Sequence, residues 1–276
     1  MKTLFVSDLD GTLLNSDAKI SDFSLKTLNT LMEEGISFTL ATSRSMASAK
    51  GIIDGLRLKL PAVMMNGVFI TNIAACEYLR INYFERPVAQ KVIDAFLNSG
   101  RPPFVYRFDG GGINVQYIAT TSEYEASFVE ERVNKYKSFV KVKDFTVDDK
   151  IIYINGLDKP QNLDPVAAKL FEIDGISFAY YPDSYSDGFY FMEVFSSGAG
   201  KWNGVEFLKH TYGFDRVVAF GDNLNDLEML QNSDVAVVVE NGHPKVLEIA
   251  DIVIPSNDSD GVCKFLLEYA NGEIAL

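Results

Sequence analysis

The chain is poor in cysteine, in histidine and in positive charge, and it has no long apolar run. Its two cysteines, Cys76 and Cys263, share no metal-ligand spacing, which leaves no thiolate centre and points to reduced thiols. The two histidines, His210 and His243, have no partner in the pattern around them and read as structural or surface residues. No apolar stretch approaches the roughly 20 residues that span a bilayer, so no membrane partner is expected. The opening MKTLFVSDLDGTLL has acidic residues where a signal peptide has its apolar region, and a cytoplasmic protein is expected. Lys and Arg number 25 against 38 Asp and Glu, a formal net charge of −13, which disfavours nucleic acid as a partner. The same charge poses a difficulty for any anionic substrate, which can approach only where a cation and a few basic groups reverse the local field. Neither a short-period repeat nor a low-complexity segment is evident.

The 276 residues, 47% of them hydrophobic, are enough for one large domain or two smaller ones with a sizeable core. Residues 4–7 form an apolar run that ends at Asp8, as in a buried parallel strand. A helix capped by Ser21 follows, with Leu25, Leu28, Leu31 and Met32 near helical spacing and Gly35 as its stop. A second strand is expected over 36–41, with Thr42 at its carboxyl end. The same alternation returns late in the chain. There, strands are expected at 217–220, 235–239 and 252–254, and helices at 226–230, 244–250 and 260–269. Both ends therefore read as halves of one parallel sheet, an α/β, Rossmann-like core. The middle differs, being rich in aromatics with longer alternating strands. Runs 105–108 and 114–117 pair across Gly110-Gly111-Gly112, helices are expected at 88–98, 122–137 and 164–172, and strands at 151–155, 177–181 and 190–195. The expected organisation is a core of 1–82 and 196–276 interrupted by a large inserted α+β domain, 83–195, with hinges near 83 and 196–200.

Four local signals carry chemistry. Asp8-Leu9-Asp10-Gly11-Thr12 follows the first strand directly. Two carboxylates one residue apart can divide their work, one attacking an electrophile and the other managing a proton. They stand where open α/β sheets bind ligands, beyond the carboxyl ends of the strands, and Gly11 lets the backbone turn sharply. Alone, the same motif reads equally well as a solvated acidic turn. Gly221-Asp222-Asn223-Leu224-Asn225-Asp226 follows another apolar strand and offers hard oxygen ligands of the kind Mg²⁺ prefers, without the pattern of an EF-hand. Thr42-Ser43-Arg44 offers hydroxyls and N–H groups at an expected helix start, either a phosphate seat or a plain N-cap. Lys201 follows the flexible Ser196-Ser197-Gly198-Ala199-Gly200, and alone it reads as a solvated charge.

Together, in this order and at strand ends, the four motifs resemble those of the haloacid dehalogenase-like phosphatase superfamily. The chain is similar over nearly its whole length to the Cof-type branch of sugar-phosphate phosphatases, in which a large α+β cap is inserted. Asp8-Leu9-Asp10-Gly11-Thr12-Leu13, Thr42, Lys201 and Gly221-Asp222 through Asn225-Asp226 match the four motifs, and Asn66-Gly67 resembles a pair typical of the branch. The resemblance implies that Asp8 is the nucleophile of an aspartyl-phosphate and Asp10 the acid and base. It implies Mg²⁺ held by the Asp8 carboxylate, the Asp10 carbonyl and Asp222, with Asp226 close by. Leu9 N–H, Thr42, the Ser43 backbone, Lys201 and Asn225 would hold the phosphoryl oxygens. Asp10 would need a raised pKa, which neighbouring carboxylates could supply. Two positions depart from the branch, Ser43 and Trp202, each where glycine is usual. Ser43 keeps its N–H, and Trp202 is expected to narrow the substrate cleft.

The expected substrate is a small phosphorylated metabolite, a sugar phosphate foremost. The alternatives are a phosphomutase of the same superfamily and a non-catalytic sensor of a phosphorylated ligand. The inserted domain would set specificity. Its cluster Tyr180, Tyr181, Asp183 and Tyr185 suits a sugar but is explained as well by core packing. A monomer or weak homo-oligomer is expected.

Overall fold

Apolar runs bounded by acidic turns become the strands of a five-stranded parallel sheet in the computed structural model. The structure describes residues 1–183, 186 and 188–275, and of Tyr136 the backbone only. Tyr185 of the expected aromatic cluster lies outside the described residues. The chain divides into two units, Met1–Arg80 with Gly200–Leu276, and Ile81–Ala199.

In the first unit the strand order is Ile252–Ile254, Val235–Val239, Arg216–Gly221, Thr3–Ser7, Ser37–Leu40. Thr3–Ser7 is central and buried on both faces, as a parallel strand flanked by helices must be. Leu4 and Val6 face one way, into a cluster with Val217, Ala219, Val205 and Leu208. Phe5 and Phe220 face the other way, where Phe5 meets Tyr269 at 4.9 Å between ring centroids and Phe220 meets Phe265 at 5.4 Å. Registers pair Ser7 with both Phe220 and Leu40, so the three strands end at one level. That level carries Asp8, Asp222 and Thr42. It is also where the sheet changes winding direction, the position at which open α/β sheets place their ligands.

The helix Asp22–Glu33 starts where Ser21 Oγ accepts the Ser24 N–H at 3.0 Å, as its capping sequence requires. A different cap governs the segment after Thr42. The helix expected to begin there instead spans Met46–Ala49, and Ser45 caps it. Thr42 Oγ1 accepts the Arg44 N–H at 3.1 Å in a local turn, so its hydroxyl competes with helix initiation.

A small three-stranded sheet, Ala62–Met64, Phe69–Asn72 and Glu77–Ile81, follows the second core strand. Its first turn, Met65-Asn66-Gly67, runs through three left-handed residues at φ 49°, 49° and 81°. Glycine is required at the last of these. A Cβ on Gly67 would lie 2.1 Å from the Gly200 carbonyl oxygen, while Gly200 N–H donates to the Asn66 carbonyl at 2.8 Å. Gly67→Ala is therefore expected to push Gly200 and the neighbouring Lys201 out of place. The loss of stability should exceed about 1 kcal/mol, measured by urea unfolding, with a fall in activity beyond what the unfolded fraction explains.

The second unit is a six-stranded sheet ordered Ile176–Pro182, Tyr190–Ser196, Ile151–Asp158, Phe104–Phe108, Ile113–Tyr117, Phe139–Lys141. Its neighbouring strands pair antiparallel except the last two, Ile113–Tyr117 with Phe139–Lys141, which run parallel. The hairpin across Gly110-Gly111-Gly112 forms as the alternation implies, Val105 opposite Gln116 and Phe108 opposite Ile113. Helices Arg86–Leu97 and Pro160–Leu170 cover one face through Phe96, Leu163 and Val166, and Glu123–Tyr136 covers part of the other through Val129. The second of these helices starts four residues earlier than its apolar spacing suggests, because Pro160 at the first helical position presets the required φ. Tyr180 and Tyr181 have protein partners here, Asp164 and Glu193, each at 2.7 Å. Asp183 accepts from the Tyr124 hydroxyl at 2.6 Å. The architecture is thus a parallel-sheet core with an inserted, mainly antiparallel α+β unit.

Candidate active site

Asp8 follows the last residue of the central strand, and its own N–H still donates to the Phe220 carbonyl at 3.0 Å. The sheet therefore fixes the backbone of the first carboxylate. The chain then coils through Leu9–Leu13, with Gly11 at φ 77°. A Cβ on Gly11 would stand 2.3 Å from Asp222 Oδ2. The glycine that permits the turn also lets the acidic turn pack against the Asp222 carboxylate. Thr12 Oγ1 donates to Asp222 Oδ1 at 2.7 Å and ties the two loops together.

Lys201, at the first position of the helix Lys201–Tyr212, is the cation of this centre. Its Nζ donates to Asp8 Oδ1 at 2.7 Å and to Asp226 Oδ1 at 2.6 Å, with 1% of the side chain exposed. Asp226 is wholly buried, and its other oxygen accepts the N–H groups of Asp222 and Asn223, each at 3.1 Å. Both Asp226 oxygens are thus committed to holding the lysine and the loop. Close packing again needs glycine, since a Cβ on Gly221 would lie 2.7 Å from Asp226 Cβ.

The charges do not balance. Ligand oxygens of Asp8, Asp222 and Asp226 lie within 4.8 Å of one another, and one ammonium faces these three buried carboxylates. Burial pushes the Asp8 carboxyl up to about 7; Lys201 opposes this, while Asp226 and Asp10 add to it. Burial, then Asp226 and Asp8, hold Asp222 well above the usual carboxylate range. Burial alone would lower the Lys201 ammonium, but the Asp226 and Asp8 carboxylates outweigh it and raise it. A centre with this excess of negative charge and only oxygen donors fits a hard divalent cation such as Mg²⁺. Asp8 and Asp222 are the residues that would hold it, with Asp226 close by.

The other expected residues divide. Thr42 is fully buried at the end of its strand, its N–H donating to the Val63 carbonyl at 2.9 Å. Ser43 is half-buried beside it, and Leu9 is buried in the acidic turn. Asn225 is half-buried on the turn Leu224–Asp226. Trp202 packs half-buried against the core cluster of Leu4 and Val205. His243 is structural: its N–H donates to the Asp222 carbonyl at 2.7 Å, and its Nδ1 accepts the Lys245 N–H. Asp10 is gripped by the guanidinium of Arg44, whose Nε donates to Asp10 Oδ2 at 2.7 Å. Its position two residues beyond Thr42 was the one available signal for that pair.

A parallel sheet that gathers a lysine and an acidic triad at its winding switch defines an enzyme of the open α/β class. The chain belongs to the haloacid dehalogenase-like hydrolase family, whose family model matches residues 5–266. It is 25% identical over 270 residues to 5-amino-6-(5-phospho-D-ribitylamino)uracil phosphatase YitU of Bacillus subtilis, covering 96% of this chain and 97% of that one. A second Bacillus subtilis phosphatase of the same name, YwtE, is 23% identical over 289 residues, covering 97% and 98%. Among solved structures, the phosphatase BT1666 from Bacteroides thetaiotaomicron superposes with a TM-score of 0.77 at 20% identity, covering 98% of this chain and 96% of that one. That last likeness concerns the fold alone. Among the described residues no helix is long and apolar enough to cross a membrane.

Proposed function

We propose that the chain is a Mg²⁺-dependent phosphatase that hydrolyses small phosphorylated metabolites through an aspartyl-phosphate on Asp8. The convergence of Asp8, Asp222 and Asp226 on Lys201 at adjacent strand ends is the observation that carries this reading. Asp8 attacks phosphorus through a carboxylate oxygen. As the P–O bond to the alcohol breaks, Asp10 gives the leaving oxygen a proton. Asp10 then takes a proton from water as that water attacks the phosphorus of the acyl phosphate, which releases phosphate and restores Asp8. Splitting one difficult displacement into two makes each easier. Phosphoryl transfer asks little covalent chemistry of a protein, so positioning and charge dominate. Lys201 opposes charge on the phosphoryl oxygens. Leu9 N–H, Thr42, the Ser43 backbone and Asn225 hold them. When bound by Asp8, the Asp10 carbonyl and Asp222, Mg²⁺ would screen the repulsion between nucleophile and substrate.

Within this reading the inserted unit sets specificity, and the protein works in the cytoplasm. Two relatives are phosphatases of a phosphoribityl compound, and phosphorylated sugars or sugar alcohols are the class favoured here. Phosphate release from such a monoester without a bisphosphate activator separates a phosphatase from a phosphomutase. A non-catalytic sensor would release none.

Metal removal tests the charge argument. Dialysis against EDTA is expected to abolish hydrolysis of p-nitrophenyl phosphate and lower the melting temperature, and millimolar Mg²⁺ to restore both. Full activity after exhaustive chelation would sink the metal's role.

A further inference from the structure

Arg44 and Asp10 form a fork that the proposed reaction does not use. Arg44 Nε donates to Asp10 Oδ2 at 2.7 Å, and Nη2 donates to Asp10 Oδ1 at 2.5 Å. A bidentate guanidinium–carboxylate pair fixes direction as well as distance, since one rigid plane locks onto another. About a fifth of each side chain is exposed, 21% for Arg44 and 19% for Asp10, so the pair is shielded more than an ordinary surface pair.

Both ends are anchored. Asp10 sits in the coiled turn after the central strand, one residue before the left-handed Gly11. Arg44 stands beyond the neighbouring strand; its N–H donates to Thr42 Oγ1, and its carbonyl accepts the Met65 N–H at 3.1 Å. The fork therefore spans two loops whose spacing the sheet register sets. Each carboxylate oxygen has a second lone pair, so the fork leaves room for a proton on Asp10.

We propose that Arg44 is the positioning residue of Asp10: it aims that carboxyl at the leaving oxygen and acts on proton transfer rather than on phosphate binding. This rests on the reading of Asp10 as the proton donor. A carboxyl on the turn beside Gly11 would otherwise rotate about its side-chain bonds, and general acid catalysis depends on a hydrogen-bonded reach to the leaving atom. Lysine, a point charge, would hold the distance but not the plane.

The test compares leaving groups. An alkyl phosphate needs its leaving oxygen protonated, whereas 2,4-dinitrophenyl phosphate departs readily as an anion. Arg44→Ala should lower kcat for an alkyl phosphate by about 100-fold or more, with KM little changed, and for the dinitrophenyl ester by less than about tenfold. Arg44→Lys, which keeps the charge but not the planar fork, should show the same ordering with a smaller loss. In an Asp10→Ala background, Arg44→Ala should cost nothing further, because it acts only through Asp10. An equal loss across the esters, a rise in KM, or a further loss in that background would overturn the proposal and make Arg44 a phosphate ligand or a structural residue. Wild-type protein that hydrolyses none of these esters would overturn the phosphatase reading, and the role of Arg44 with it. A wild type active on all of them, beside a flat Arg44→Ala response, overturns the Arg44 role alone.

Discussion

Asp8→Asn is expected to lower phosphatase turnover by a factor on the order of 10⁴ or more, without unfolding the protein. The amide keeps the size of the side chain, and its oxygen can still accept from Lys201 Nζ, 2.7 Å away in the native centre. It lacks the anionic oxygen that would attack phosphorus and one of the charges that would hold the metal. The effect on stability should run the other way. Asp8 is buried beside Asp222 and Asp226, and its carboxyl is pushed up to about 7 by burial despite Lys201. A neutral amide relieves that repulsion, so metal-free Asp8→Asn should melt no lower than the metal-free wild type. The opposed effects would identify a residue kept for chemistry at a cost in stability. Near-normal turnover of p-nitrophenyl phosphate by this variant would eliminate the covalent mechanism.

Lys201→Met should be damaging in both respects. Methionine matches the apolar stem of lysine but removes the ammonium that faces the triad. Breaking a buried pair from one side costs about 3–5 kcal/mol, because the carboxylates left behind are uncompensated. At roughly 2–4 °C per kcal/mol for a protein of this size, the first unit should melt about 10 °C lower. The deficit should depend on pH with a definite sign. A carboxyl raised above its unfolded value contributes stability at low pH that is lost as pH rises through its folded value. For Asp8 in metal-free wild type that window runs from the ordinary carboxyl value of 3.8 to about 7. Without the opposing ammonium it extends upward, so Lys201→Met should lie close to wild type near pH 5 and fall away toward pH 8. Turnover should drop by about 100-fold or more, as when one donor to a developing oxyanion is removed. Differential scanning calorimetry across pH, without metal, checks the first part. A deficit that shrinks as pH rises would contradict the charge argument.

Much of this centre could be read from residue order alone. Asp8, Asp222 and Thr42 each end an apolar run, and the ends of parallel strands coincide when the registers align. Lys201 was placed only through its likeness to a motif, since a lysine after a small-residue stretch has no periodic signature. Its helix, Lys201–Tyr212, was not expected at all. Gly204 weakens the helical pattern, and its reason is tertiary: a Cβ there would lie 2.5 Å from Val63 Cγ1. The three-stranded sheet beside the core was hidden for a similar reason. Its left-handed turn at Met65 and Asn66 uses a conformation that non-glycine residues rarely advertise. Arg44 was visible only as part of a phosphate-seat tripeptide. Its pairing with Asp10 spans 34 positions and depends on two strands lying side by side, which no local pattern encodes.

Asp8 is expected to carry phosphate during turnover. Wild-type protein mixed with a ³²P-labelled monoester and Mg²⁺, then quenched in acid within one turnover, tests it directly. The label should be retained on the protein and released by hydroxylamine as an acyl phosphate is, and borohydride, which displaces the phosphate, should leave homoserine at position 8. Label on any other residue, or burst-free turnover with inversion of configuration at a chiral phosphorus, would contradict it.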